Sequence, residues 1–443
     1  MENIGTKKIS SLLLEYSVPA IMGMLVFALY NIVDRIFIGR GIGAYAMAGL
    51  SITFPLFTIY IAVGMLIGFG GGALVSLKLG ANKKKDAEVV LGNVITLFTI
   101  FSIVLMIFGG LFLNKILVLF GATENTIVYA SEYMSIINKL VFFNFLGMGL
   151  NNIIRAEGNP KIGMIYMILG AVINIILDPI FIFTFDMGIK GAAYATALSN
   201  VVSSVLTIYH FMYSEKSNVK LKLKNLKLNK KITKEIFSIG FSPFILQLGA
   251  SLTAIVLNKT LLSYSNDLAV GAMGIINSVY MFISLIITGL IQGAQPIIGY
   301  NYAAKKYDRV KQTLKLSLRI AIGLSVILTG LIFSIPHFFI NLFSDGNEQL
   351  LFIGSNGIKI YLSFMIFNSI YIIGSNYFQA IGNSKLSTKL NLLRQIVVFL
   401  PLLFILPKVF GLNGVWMAAP VSDLIVGVFT FLALKKKSTF IMI

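Results

Sequence analysis

The sequence predicts an all-α polytopic membrane protein, with twelve transmembrane helices in two six-helix bundles related by a pseudo-two-fold axis along the membrane normal. Three observations carry that prediction. Hydrophobic residues make up 57% of the 443 and charged residues only 12%, about half the charged share of a soluble domain. The apolar residues gather into twelve stretches long enough to cross a bilayer. The sequence also resembles itself at an offset of 222 to 224 residues.

The stretches lie near 15–39, 50–77, 89–113, 127–154, 161–185 and 189–213. They resume near 235–262, 268–299, 312–340, 350–380, 386–409 and 414–434. Lysine and arginine set their orientation, because cytoplasmic loops carry the excess of positive charge. One side collects Lys7, Lys8, Lys78, Lys83–Lys85, Arg155, Lys161 and the eight lysines from Lys216 to Lys234. It also takes Lys305, Lys306, Arg309, Lys311, Lys315, Lys385, Lys389, Arg394 and Lys435–Lys437. The other side offers little beyond Arg40, Lys115, Lys190 and Lys408. Both termini and the linker are therefore expected in the cytoplasm, as an even number of spans requires. The opening MENIGTKKISS has no cleavage site of small residues behind a short apolar core, so no signal peptide is expected.

The repeat pairs Ala46–Ile52 with Ala269–Ile275, and Gly158-Asn159-Pro160-Lys161 with Gly382-Asn383-Ser384-Lys385. It also pairs Gly188–Gly191 with Gly411–Gly414, Pro19 with Pro243 and Pro179 with Pro401. An even number of spans per half gives both halves the same orientation. The expected units are a first bundle over 1–213, a basic linker over 214–234 and a second bundle over 235–443. The linker alternates lysine with leucine and reads first as a solvated connector, with an amphipathic surface segment as the alternative.

Within the fifth stretch, Asn174 and Asp178 stand four residues apart and share a helical face. A carboxylate there costs roughly 2.5–3.5 kcal/mol on the insertion scale, so something must offset it. Pro179 follows at once and frees a backbone carbonyl nearby. In the first stretch Tyr30 and Asp34 also share a face, and Pro19 can kink the helix. Asn151 sits in the fourth stretch and Thr196 a turn or two into the sixth. Asp34, Asn174, Asp178 and Thr196 are expected at one depth, as an oxygen-rich pocket suited to Na⁺ or to one shared proton. The repeat acts as a control, since Asp34, Asp178 and Thr196 fall opposite Leu257, Leu400 and Ala419. The polar set belongs to the first half alone.

Other intramembrane charges have plainer readings. Lys139 and Lys259 can snorkel or pair, and Arg319 is interfacial. Lys359, beside Tyr361, either neutralises a second-half cavity or lies at the surface. Asp423, opposite Asn200, reads as helix packing. Gly70-Gly71-Gly72 inside an apolar stretch reads as close helix packing, not phosphate binding. There is no cysteine and only His210 and His337, so thiolate chemistry and histidine-rich metal sites are excluded. No P-loop or nucleophile–base pattern is present, and no enzyme is expected. The net charge of +19 lies between apolar segments, which suits a membrane surface and not nucleic acid.

These residues resemble the multidrug and toxic compound extrusion (MATE) transporters over essentially the whole chain. The likeness rests on the 6+6 repeat, the segment YNIVDRIFIG around Asp34, the turn from Arg155 to Lys161, and the Asn174–Asp178–Pro179 step. It looks most like the bacterial subfamily that expels organic cations in exchange for Na⁺ or H⁺. The resemblance implies alternating access through a central cleft, with no cofactor beyond the coupling ion. It also implies a cation site at Asp34, Asn174, Asp178 and Thr196, adjoined by Tyr30 and Asn151. A monomer in the bacterial cytoplasmic membrane, binding cationic drugs or dyes, is expected. A lipid or lipid-linked oligosaccharide flippase of the same superfamily is the alternative. Apart from Glu235 at the very start of the seventh, no carboxylate stands in the seventh or tenth stretch, so no second-half coupling site is expected.

Overall fold

The structure, a computed structural model, describes residues 2–264, 267–344 and 348–440. Residues 441–443, at the end of the expected second bundle, lie outside them, as do the side chains of Arg40 and Lys437, two charges used for orientation. The described residues contain helices and no strand. The spans are α1 (Ile9–Gly41), α2 (Ala44–Gly80), α3 (Lys84–Leu119), α4 (Glu124–Lys139 with Val141–Ala156), α5 (Pro160–Pro179) and α6 (Gly188–Met212). They continue as α7 (Lys230–Tyr264), α8 (Asp267–Ala303), α9 (Tyr307–Ser334), α10 (Glu348–Tyr361 with Met365–Ala380), α11 (Ser384–Leu392 through Leu400–Phe410) and α12 (Leu412–Phe440). Ten described helices are long and apolar enough to cross a bilayer, and the two bent pairs bring the spans to twelve.

The halves repeat more than their sequence. The bent pairs are α4, by 61°, and α10, by 50°, the same position in each bundle. No proline or glycine marks the break in α4; Asn138 beside it accepts from the Tyr60 hydroxyl at 2.6 Å and donates to the Met106 carbonyl at 3.0 Å. Each half also holds one π-helical stretch, Ile180–Thr184 after Pro179 and Leu393–Phe399 two residues before Pro401. The turns into α5 and α11 place Gly158 at φ 109° and Gly382 at φ 78°, where only glycine sits without strain. By contrast α1 runs unbroken through Pro19.

Two apolar cores form. The first is built around Phe98, Phe145 and Leu150, and the second around the single tryptophan, Trp416, with Phe378 and Ile291. Their membership crosses over. Leu12, Leu13 and Tyr16, from the opening turns of α1, lie in the second core, while Ile232, Ile236 and Ile239 of α7 lie in the first.

The bundles meet at the end that carries the linker. A Cβ on Gly240 would lie 1.7 Å from the Leu66 carbonyl oxygen, and one on Gly80 would lie 2.1 Å from that of Tyr300. Glycine alone allows these backbones to touch. The triple glycine serves the same end, with Gly70 against Ile236, Gly71 against Val94 and Gly72 against Asn152. Ser17 donates to the Leu290 carbonyl at 3.0 Å and Ser76 to that of Pro296 at 2.9 Å. Arg155, counted above among the surface charges, is buried and donates to Gln292 Oε1 at 2.8 Å across the bundles. Arg309 likewise holds the N-terminal segment, donating to the carbonyls of Ile4 and Lys7 at 3.0 and 2.7 Å.

The linker differs from a solvated connector. Its first part is clamped by Glu157, which is fully buried. That carboxylate accepts from the backbone N–H groups of Asn218 and Val219, both at 2.9 Å, and from the Ser217 hydroxyl at 3.1 Å, and it pairs with His210. Farther on, the short 3-10 turn Leu223–Leu226 lies on α3, where Thr96 donates to the Leu226 carbonyl at 2.6 Å and Lys222 pairs with Glu88 at 2.6 Å. Neither contact has a local sequence pattern, because the partners come from different spans.

Candidate functional site

The polar residues of α1, α5 and α6 converge in the half of the first bundle away from the linker. Asp34 is 7% exposed and Asp178 fully buried. Their carboxyl groups face one another within hydrogen-bonding range. Asn174, one turn before Asp178, donates through Nδ2 to Asp178 Oδ1 at 3.4 Å and to Thr196 Oγ1 at 3.3 Å. Three oxygens in this pocket are buried and accept no hydrogen bond among the described residues: Oδ1 of Asp34, Oδ2 of Asp178 and Oδ1 of Asn174. Buried acceptors left without a donor are costly, and a cation or a proton is the kind of group that satisfies such oxygens. Two adjacent carboxylates repel unless a cation or a shared proton joins them.

Helical arithmetic accounts for the placement. Asn174 and Asp178 share a face of α5, and α6 lays Thr196 against it. Directly after Pro179 the chain widens into the π stretch Ile180–Thr184, and such stretches loosen the regular backbone bonding. Sequence reasoning missed Tyr133 of α4, which is 4% exposed and lies close to Thr196 and to both carboxyl groups. Its signal was weak, since a tyrosine in an apolar stretch is ordinary. Tyr30 lies half-buried at the edge, facing Tyr133.

Asn151 does not join the pocket. It donates to the Gly163 carbonyl at 2.7 Å, and Gly163 precedes Asn174 by three turns of α5, about 16 Å along the axis. The amide ties α4 to α5 near the linker end, four residues before Arg155. Its polarity serves helix contact there.

The second bundle has a polar centre of its own, and the sequence reading misplaced it. Arg394 is not a loop charge: it lies in the π stretch of α11, ten residues into the span, and donates through Nε to Asp423 Oδ1 at 2.7 Å. The same guanidinium donates to the Tyr280 hydroxyl at 3.0 Å and sits 5.2 Å from the centre of the Tyr371 ring. Asn368 donates to Asp423 Oδ2 at 3.0 Å. Asp423 is therefore an ion-pair partner as well as a packing group. Lys139, Lys259, Arg319 and Lys359 are all exposed, and none of them joins the polar centre around Arg394 and Asp423. Among the described residues no group of three or more histidine, cysteine or acidic side chains forms a metal cluster.

Comparison with known proteins agrees with the duplicated helical fold. The profile of the MatE family matches residues 19–180 and again 241–405, once in each half. Multidrug export protein MepA of Staphylococcus saprophyticus is 31% identical over 414 residues, covering 91% of this chain and 88% of its own. MepA of Staphylococcus aureus strain MRSA252 is also 31% identical, with the same coverage of each chain. Among solved structures, the MATE multidrug transporter DinF-BH superposes with a TM-score of 0.92 at 34% identity, over 99% of this chain and 98% of that one. An outward-facing multidrug resistance MATE family transporter shares the fold at 24% identity and a TM-score of 0.92, over 99% of each chain.

Proposed function

This chain belongs to the MATE family, and from that premise we propose that it is a secondary active multidrug exporter that expels small organic cations in exchange for Na⁺ or H⁺. As a family member it is a multi-pass membrane transporter and not an enzyme. The observation that carries the proposal is the facing pair of Asp34 and Asp178, buried and without an ion-pair partner among the described residues. Asp34, Asn174, Asp178 and Thr196 form the cation site, with Tyr133 closing one side and Tyr30 at its mouth. A cationic drug and the coupling ion answer the same negative charge. Binding the ion then favours the conformation from which the drug leaves.

The rest of the reading follows from the architecture. The units are 1–213 and 235–443, joined by the linker 214–234, and one copy of the chain suffices. The linker face is cytoplasmic in a bacterial inner membrane, in keeping with its lysines. The bonds between bundles at that face close it, which corresponds to the state open to the outside. Rocking of one bundle against the other exposes the site to each side in turn. One ion exchanged for one monovalent drug moves no net charge; a second ion would add about 2.3 kcal/mol per 100 mV of membrane potential. A flippase would call for a cationic cavity, and the pocket of the first bundle is anionic.

The test is dye efflux from proteoliposomes under an imposed Na⁺ gradient and then a pH gradient. One gradient drives efflux by the wild type, and Asp34→Asn and Asp178→Asn lose it while remaining folded in the membrane. Normal driven efflux by both variants would refute the site.

A further inference from the structure

A cavity of about 970 Å³ opens between the first turns of α7 and α11, at the opposite end of the molecule from Asp34 and Asp178. Both spans begin there, at Lys230 and Ser384, so the cavity lies at the bilayer surface on the linker face. Four lysines line it, Lys230 and Lys234 from α7 and Lys385 and Lys389 from α11, each pair one helical turn apart. All four are exposed, no acid lines the cavity, and none of them enters an ion pair among the described residues. Like charges this close repel. Below them Phe237 and Phe241, again one turn apart, give the cavity an apolar wall.

A further observation points to an anionic occupant. The first N–H groups of α11 receive no side-chain cap, and free N–H groups at a helix start favour anions. A soluble phosphate would satisfy the lysines and leave the phenylalanine wall facing water. A lipid satisfies both parts.

We propose that this cavity binds an anionic phospholipid of the linker-side leaflet, its phosphate among Lys230, Lys234, Lys385 and Lys389 and its acyl chains along Phe237 and Phe241. Basic pockets between spans recognise such headgroups. The lipid bridges α7 to α11, and α7 is the span whose opening turns enter the core of the first bundle. Its occupancy is independent of the transport reading above.

The experiment uses the full-length protein in phosphatidylcholine nanodiscs titrated with phosphatidylglycerol, with retained lipid counted by mass spectrometry after purification. The wild type retains phosphatidylglycerol in preference to phosphatidylcholine. Each lysine replaced by glutamine lowers the affinity about fivefold, and K230Q/K234Q/K385Q/K389Q abolishes the preference. A four-arginine variant at the same positions keeps it, which separates loss of charge from loss of fold. A control of equal charge loss on the same face, K83Q/K84Q/K311Q/K315Q, binds like the wild type. If that control loses as much as the cavity variant, diffuse surface charge is the cause and the proposal falls. It also falls if the cavity variant retains the preference, or if millimolar inorganic phosphate displaces the lipid completely.

Discussion

In the first bundle two carboxyl groups from α1 and α5 face each other with no cation among the described residues to pair them; in the second an arginine of α11 and an aspartate of α12 neutralise one another and bond Tyr280 and Asn368. The Asn368 amide oxygen, like that of Asn174, accepts no hydrogen bond among the described residues. Both centres are intramembrane, polar and buried. They differ in whether the protein finishes its own electrostatics. An incomplete centre has a reason to take up a cation, and a complete one has a reason only to hold its helices in register. The duplication thus produced one scaffold and two electrostatic outcomes.

That contrast can be broken by mutation. The largest effect is expected in the first bundle. Asp34→Asn or Asp178→Asn removes a charged ligand worth about 3 kcal/mol, which lowers ion-driven dye efflux about a hundredfold with no loss of thermal stability. A variant that melts early but still couples would reverse the assignment. In the second bundle Asp423→Asn leaves Arg394 buried and unpaired and costs about 3–5 kcal/mol, read as a lower Tm in detergent, while any folded fraction still couples. Replacing the whole pair, Arg394→Met with Asp423→Leu, is expected to be neutral or to stabilise by about 1–4 kcal/mol, again with efflux retained. If that double variant is stable but uncoupled, the second centre belongs to the ion pathway. The smallest effects sharpen the picture. Thr196→Val removes one partner of Asn174, about 1 kcal/mol, and raises the ion concentration for half-maximal efflux about fivefold. Tyr371→Phe removes the 2.7 Å bond to Asn391 and lowers stability by a similar amount without changing the ion dependence.

The first centre was legible because its signals are local. Asn174 and Asp178 are one turn apart, and an aspartate inside an apolar stretch needs a reason to be there. The repeat sharpened it by placing leucine opposite each carboxylate. The second centre was hidden by its neighbours. Arg394 follows Lys385 and Lys389, so it counted as one more charge at the membrane surface, when a π-helical stretch carries it inside. Asp423 sat opposite an asparagine, which suggested packing and gave no hint of an arginine 29 residues earlier. Asn151 was placed beside the site by the family resemblance alone, and no local pattern showed that its amide binds the Gly163 carbonyl, three turns of α5 away from Asn174. The breaks in α4 and α10 carry no proline, and the Glu157 clamp on the linker joins residues that only the folded chain brings together.

The exchange of opening turns between the two cores bears on how the molecule is made. While the ribosome is still within the first 213 residues, the first bundle lacks the isoleucines of α7 that fill its core, and Leu12, Leu13 and Tyr16 have no core of their own to enter. Neither bundle can reach its final packing during synthesis until the other has begun to emerge. A truncated first half should stay partly assembled in the membrane, and supplying the second half as a separate polypeptide should let both mature.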